Sequence, residues 1–262
     1  MSFNRQNPPV WVSQNYLTSK KTIGMLLNKS NIKPHDYVVE IGPGKGHITD
    51  MLLKRCRQLS AIEVDSHLYS RLSSKFDGHA NLTLHNMDFL KWNLPHSGNY
   101  KIFANIPFCH TTAILRKLYE CKNPPTHAWL VMEKGAAKRF IGTPRENSSS
   151  LSIKPIFDMK ITHYFRREDF HPMPRVDVVM LHLKRKQPHD ITPHQQFDYQ
   201  HFVSHCFNAN FNKQVGLLRL FTKKQLTKAC KYAGVRDLAV DEIRYIQWLC
   251  LFRNYCNNVL KK

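Results

Sequence analysis

Short apolar runs alternate with segments in which apolar positions recur every three or four residues, and this alternation continues to about Lys184 of the 262-residue chain. Tyr37–Ile41, Leu59–Val64, Leu82–Met87, Tyr100–Ala104 and His127–Met132 each have the length and composition of a buried strand, and Met159–Phe165 and Val178–Leu183 read as later strands. Helical spacing falls between them: Ile48–Leu53, a segment carrying Ile114, Leu115 and Leu118 with Thr111 or Thr112 as its cap, and Lys134–Phe140. Strands that alternate with helices predict an α/β fold with a mostly parallel sheet. Past a linker at Pro188–Pro193 the strand patterns stop. Phe197–Phe207, Lys223–Ala233 and Val240–Leu260 read as helices, with Gly234 ending the second. The expected division is a strand-rich domain over 1–187 and an all-helical domain over 188–262.

Three strand ends carry ligand-type chemistry. After Tyr37–Ile41 comes Gly42-Pro43-Gly44-Lys45-Gly46, a glycine turn between strand and helix that lets backbone approach a ligand closely. Its Gly-x-Gly-x-Gly spacing is not the Gly-x-Gly-x-x-Gly of a pyrophosphate binder, and no Gly-Lys-Ser/Thr phosphate loop is present. Glu63 ends the next strand, where it could accept both hydroxyls of a ribose. Asp88 follows the third, where it could accept from an adenine amine. Each acid taken alone is more often a helix cap or a solvated charge. The fourth strand runs into Asn105-Ile106-Pro107-Phe108. The Asn105 side-chain carbonyl and the Ile106 backbone carbonyl can both accept from an exocyclic amine, Pro107 fixes φ and removes a donor, and Phe108 can stack on the ring bearing the amine.

Composition narrows the partner. The chain has 39 Lys and Arg against 19 Asp and Glu, a formal charge of +20, which favours a polyanion, nucleic acid before membrane. Residues 181–262 hold 14 Lys/Arg against 5 Asp/Glu and residues 1–180 hold 25 against 14, so positive charge is densest in the helical tail. Apolar stretches such as Trp248–Phe252 are far too short to span a bilayer. Seven scattered cysteines imply free thiols in a reducing compartment, and their spacing with histidine makes no zinc pattern, so no metal is expected.

The order of Gln14-Asn15-Tyr16-Leu17, Glu40–Gly46, Glu63, Asp88, Asn105–Phe108, Glu133-Lys134-Gly135 and Phe170–Asp177 resembles the Erm-type 23S rRNA adenine-N6 methyltransferases over nearly the whole chain. That resemblance implies a Rossmann-like S-adenosylmethionine (SAM) domain followed by a small helical, basic RNA-binding domain. It implies cofactor contacts at Asn15, Leu17, Gly42, Gly44, Glu63, Val64, Asp88, Phe89 and Asn105. It implies a catalytic loop of Asn105, Ile106, Pro107 and Phe108, with Phe170 helping to hold the target base. Val178 and Phe108 stand where other members carry Ser and Tyr; neither change removes the ring or an acceptor. The implied substrate is one looped or single-stranded adenine of 23S rRNA, and the implied consequence is resistance to macrolides, lincosamides and streptogramin B. A cytoplasmic bacterial monomer is expected. The alternative within the fold is a small-subunit rRNA adenine dimethyltransferase, which usually has Leu where Ile106 stands. A nicotinamide-dependent dehydrogenase would need a different glycine spacing. A non-catalytic RNA-binding protein would not need Asn105, Asp88 and Glu63 together.

Overall fold

The computed structural model describes residues 15–207, 213–235 and 242–260. Gln14 and residues 240–241 lie outside them; of the helix expected over 240–260, the described part is α-helical over Tyr245–Tyr255 and continues as a π turn over Cys256–Leu260. In chain order the elements are β1 (Tyr16–Leu17), α1 (Lys20–Lys29), β2 (Tyr37–Ile41), α2 (His47–Leu52), β3 (Gln58–Glu63), α3 (Ser66–Lys75), β4 (Leu82–Asn86), β5 (Lys101–Asn105), α4 (Thr111–Glu120), β6 (His127–Glu133), α5 (Lys134–Ile141), α6 (Ser148–Ile153), β7 (Phe157–Tyr164), β8 (Phe170–His171) and β9 (Val178–Arg185). Four helices follow: α7 (Gln196–Cys206), α8 (Lys213–Leu220), α9 (Lys223–Ala233) and α10 (Tyr245–Tyr255).

Two compact units emerge, one of Met1–Ala137 with Met159–Arg185, the other of Lys138–Asp158 with Lys186–Lys262. The chain passes from the first unit to the second after Arg185, and the sequence pattern sets its division at 187/188. The helical unit also takes in 138–158, which the sequence pattern leaves in the first domain.

In the first unit the strands form one seven-stranded sheet, ordered β4-β3-β2-β5-β6-β9-β7. From β4 to β6 every neighbouring pair is parallel, and β9 runs antiparallel to β6. Strand order reverses between β2 and β5, since the chain winds outward through β3 and β4 before returning to β5. In open α/β sheets, ligand crevices lie at the carboxyl ends of the strands at such a reversal. Both faces of the central strands are covered, which is why Val38, Val39, Ile102 and Phe103 are all buried. One core cluster packs Ile23, Leu26 and Leu27 of α1 with Leu52 of α2, Phe103 and Trp129. A separate two-stranded ribbon pairs β1 with β8, Leu17 opposite Phe170 and Tyr16 opposite His171.

Helix α4 starts differently from expectation. Its cap position is His110, reached through a 3-10 turn over Phe108–His110, and Thr111 is already helical.

The second unit has its own core, built around Leu151, Tyr199, Phe202, Leu217, Trp248 and Phe252. Two of its helices are faint in the sequence. Helix α6 is serine-rich, so its apolar periodicity is weak; a capping box in which Asn147 and Ser150 exchange hydrogen bonds starts it. Helix α8 carries a central glycine, Gly216, set against the backbone of α7: a Cβ there would lie 2.8 Å from Cys206 Cα. Gly234, by contrast, ends α9 in the left-handed conformation as its position suggests.

Candidate active site

The crevice at the strand-order reversal is bounded by the ends of β2 and β5. Register places Ile41 beside Ala104, so the glycine loop after β2 meets the Asn105 loop after β5. A cavity there is lined by Asn15, Tyr16, Gly42, Asn105, Ile106, Pro107 and Phe108. Residues 90 apart in the chain are thereby joined, and one hydrogen bond orients the pair: Asn105 Nδ2 donates to the Asn15 carbonyl at 2.7 Å. Because the amide nitrogen is committed, the side-chain oxygen of Asn105 is the group left to accept. Ile106 is anchored through its N–H, which donates to the Val131 carbonyl at 3.2 Å. Pro107 has φ −60° and ψ 127°, extended backbone that hands over to the 3-10 turn bearing the half-buried Phe108.

Gly42 has φ +63°, and a Cβ built on it would meet nothing within 4 Å. The loop therefore presents bare backbone to open space, as close approach of a ligand requires. Gly44 is held for another reason. Its φ is +58° and a Cβ would stand 2.6 Å from the Tyr16 ring. The loop is clamped from below by Glu63, whose Oε2 accepts from Gly44 N and whose Oε1 accepts from Asp65 N, both at 3.0 Å. Glu63 is only 1% exposed, and burial pushes its carboxyl above the usual range despite those two donors. A second buried acid, Glu40, accepts from Thr49 Oγ1 at 2.7 Å; burial, reinforced by Glu63, pushes it up to about 8.

The residues expected to contact a cofactor or base are distributed unevenly. Asn15, Gly42, Asn105, Ile106, Pro107 and Phe108 line one cavity. Glu63 and Asp88 close adjacent strands, with Met87 N donating to the Glu63 carbonyl, but neither lines that cavity. Asp88 forms a turn in which its Oδ1 accepts from Leu90 N at 2.8 Å. Val64 is half exposed, while Phe89 is buried against Trp92 with Lys117 Nζ 5.2 Å from its ring. Leu17 and Phe170 do not line that cavity either. Both are buried in the core, at 3% and 2% exposure, and the Phe170 ring packs on Phe165 at 5.1 Å. Phe170 presents no face to the cavity, because its strand pairing with Leu17 turns both side chains inward. Strand alternation then sends the neighbour the other way. Tyr16, not singled out by the sequence, lines the cavity, and the i/i+1 alternation with Leu17 was the available signal. Burial and the nearby charges of Glu63 and Asp65 push its hydroxyl above the normal phenol range. Lys45 is exposed, with its Nζ 5.0 Å from the Tyr16 ring centre.

Among the described residues no cluster of three or more His, Cys, Asp or Glu could hold an ion, and no helix is long and apolar enough to cross a membrane.

A match to the ribosomal RNA adenine dimethylase family spans residues 10–256. An rRNA adenine N-6-methyltransferase of Limosilactobacillus reuteri is 36% identical over 243 residues, covering 93% of this chain and 95% of its own. One from Escherichia coli is 33% identical over 253 residues, with 95% and 97% covered. Among solved structures, the 23S rRNA methyltransferase ErmE superimposes with a TM-score of 0.79 at 29% identity, covering 92% of this chain and 99% of that one. A dimethyladenosine transferase from Plasmodium falciparum shares the fold at TM-score 0.71 and 22% identity, covering 92% and 97%.

Proposed function

The chain belongs to the ribosomal RNA adenine dimethylase family and is a SAM-dependent rRNA adenine N6-methyltransferase, and from that premise we propose that Asn105 and the Ile106 carbonyl grip the 6-amino group of one 23S rRNA adenine for methylation. The observation that carries this is the Asn105–Asn15 hydrogen bond, which commits the amide nitrogen and leaves the oxygen to receive an amine hydrogen. SAM supplies an electrophilic methyl on a sulfonium when bound. Asn15, Gly42 and Gly44 would hold its amino-acid part, Glu63 and Val64 its ribose, and Asp88 and Phe89 its adenine, with Leu17 supporting from the core.

An adenine amine is a poor nucleophile because its lone pair is delocalised into the ring. Two acceptors on its hydrogens favour a pyramidal nitrogen and localise the pair. Alkylation makes the nitrogen cationic and its proton acidic, so no strong base is needed. Positioning and fixed dipoles therefore carry the rate. Phe108 is placed to stack on the inserted base, replacing part of the stacking lost when the adenine leaves its neighbours, about 1–3 kcal/mol for such contacts. Phe170 acts at one remove, holding β1 and hence Tyr16 through the ribbon. The basic helical unit would track RNA phosphates. Methylation of the 23S adenine would confer resistance to macrolides, lincosamides and streptogramin B on a bacterial host in whose cytoplasm the enzyme works as a monomer.

Incubation with radiolabelled SAM and separated, deproteinised 23S and 16S rRNAs, followed by mapping of the labelled base, tests this. Label at one 23S adenine is expected. Label confined to 16S rRNA would move the enzyme to the small-subunit branch, and SAM binding without label would leave a non-catalytic protein.

A further inference from the structure

The glycine loop also borders a second cavity. Gly44 abuts Tyr16, but Gly46 abuts the end of α3: a Cβ there would lie 2.7 Å from Phe76 Cε2 and 2.8 Å from Leu72 Cδ2. Loop and helix are thus locked together, and the space between them is lined by Gly44, Lys45, His47, Leu68, Arg71 and Lys75. Lys75 Nζ donates to the Lys45 carbonyl at 3.0 Å, which holds its ammonium at the cavity wall. Among the described residues, Lys45, Arg71 and Lys75 have no carboxylate partner. Three cations with no carboxylate within salt-bridge distance among the described residues, beside the Leu68 side chain, make a focused positive field. His47 registers it: burial first, then Lys75, Lys45 and Lys20, hold its imidazole below the ordinary range. The loop is also a wall of the Asn105 cavity, and Lys45 reaches across it to the Tyr16 ring.

We propose that this cavity binds a backbone phosphodiester of the RNA substrate, close to the nucleotide whose base enters the Asn105 cavity. The inference rests on the rRNA methyltransferase function stated above. A phosphate here would fix the strand's register on the glycine loop without reading sequence, as backbone contacts do. Arginine is suited to a forked contact with phosphate oxygens and lysine to a point-charge contact.

The test compares the intact enzyme with Arg71→Gln/Lys75→Gln and with a control of equal charge loss, Lys33→Gln/Arg57→Gln. The control residues lie before β2 and β3, at the opposite end of the sheet. Affinity for a large-subunit rRNA fragment is measured across a salt series, SAM affinity by calorimetry, and the His47 resonance by NMR with added inorganic phosphate, His47→Asn providing the assignment. Loss of about tenfold or more in RNA affinity is expected for Arg71→Gln/Lys75→Gln, with the log–log salt slope reduced by about 0.7 per lost contact. The control should lose less, since distant charges are screened. SAM affinity should hold, and phosphate should shift the His47 signal only when Arg71 and Lys75 are present. Equal RNA affinity and slope in the two double variants would overturn the inference. So would weaker SAM binding with RNA affinity kept, which would give the cations to the cofactor. A phosphate-dependent His47 shift with no change in RNA affinity would assign a free-anion site and overturn it equally. Failure of the unsubstituted enzyme to methylate rRNA while still binding it would count against the function alone; failure to bind RNA would remove both.

Discussion

At the scale of single residues, Asn105 carries the most specific expectation. Asn105→Ala removes the acceptor, and loss of one preorganised electrostatic contact in a catalytic site lowers turnover by about 10²–10³-fold; single-turnover methylation should fall by that much while SAM binding is partly kept. Asn105→Asp should not rescue it. The carboxylate would set an oxygen 2.7 Å from the Asn15 carbonyl where the amide now donates, and two acceptors at that distance repel. Unchanged transfer by Asn105→Ala would remove this side chain from the mechanism. Gly42 separates two costs that usually travel together. A Cβ there meets nothing, so Gly42→Ala loses only the left-handed backbone penalty, about 1–2 kcal/mol. Its methyl group would project into the ligand's space, so SAM affinity should fall more than stability does. Calorimetry of binding and of unfolding on the same variant checks both.

At the scale of elements, Gly216 gives a sign that propensity alone would miss. Alanine for glycine inside a helix ordinarily stabilises by about 1 kcal/mol. In α8 the added Cβ would lie 2.8 Å from Cys206 Cα and 2.9 Å from the His205 carbonyl, both backbone atoms that cannot rotate away. Overpacking costs about 1–3 kcal/mol, so Gly216→Ala should lower the denaturation midpoint. Two strand-borne groups predict the pH profile of stability. Asn31 Nδ2, from the segment between α1 and β2, meets His127 Nε2 of β6 at 3.0 Å, and His127 Nδ1 meets His182 Nε2 of β9 at 2.9 Å. Since the amide can only donate, His127 must donate onward, and His182 Nε2 must be unprotonated. Burial, then the charge of His127 and nearby lysines, brings His182 down to about 4. The unfolded chain binds more protons below the ordinary value of about 6.5, so this contribution is complete above that pH and is lost as pH falls toward 4. Glu40 has the opposite sign. With its folded value raised to about 8, the folded state holds the extra proton; its contribution is complete below about 4.3 and is lost as pH rises through 8. Denaturation across pH 4 to 9 should show both limbs, with Glu40→Gln flattening the alkaline one and His182→Gln the acid one. A profile unaltered by either substitution would contradict these assignments.

At the scale of the whole molecule, the helical unit is not a simple appendage. Residues 138–158 belong to it, and Leu151 of α6 sits in its core, its carbonyl accepting from the buried Tyr199 hydroxyl at 3.0 Å. A fragment ending at 187 would strand α6 without α7 and α10. It should be far more sensitive to proteolysis within 138–158 than the full chain, and limited digestion with mapping of the first cuts would reveal it. The sequence by itself determined the α/β class, the basic character, the helical tail and the glycine and Asn105 loops, because these rest on local periodicity, on turn chemistry and on summed charge, none of which requires knowing what packs where. Chain order also marked Glu63 and Asp88 as strand-end acids. Which side chains face a common space was decided only by tertiary structure. Leu17 and Phe170 turn into the core while Tyr16 lines the cavity, because antiparallel pairing of β1 with β8 sets their facing. Each Glu63 oxygen accepts one backbone N–H, from Gly44 or Asp65, and Lys45, Arg71 and Lys75 share a wall, because β2, β3 and α3 converge there. The serine-rich α6 and the glycine-bearing α8 exist because partners distant in sequence cover their apolar sides, a contribution that no local pattern contains.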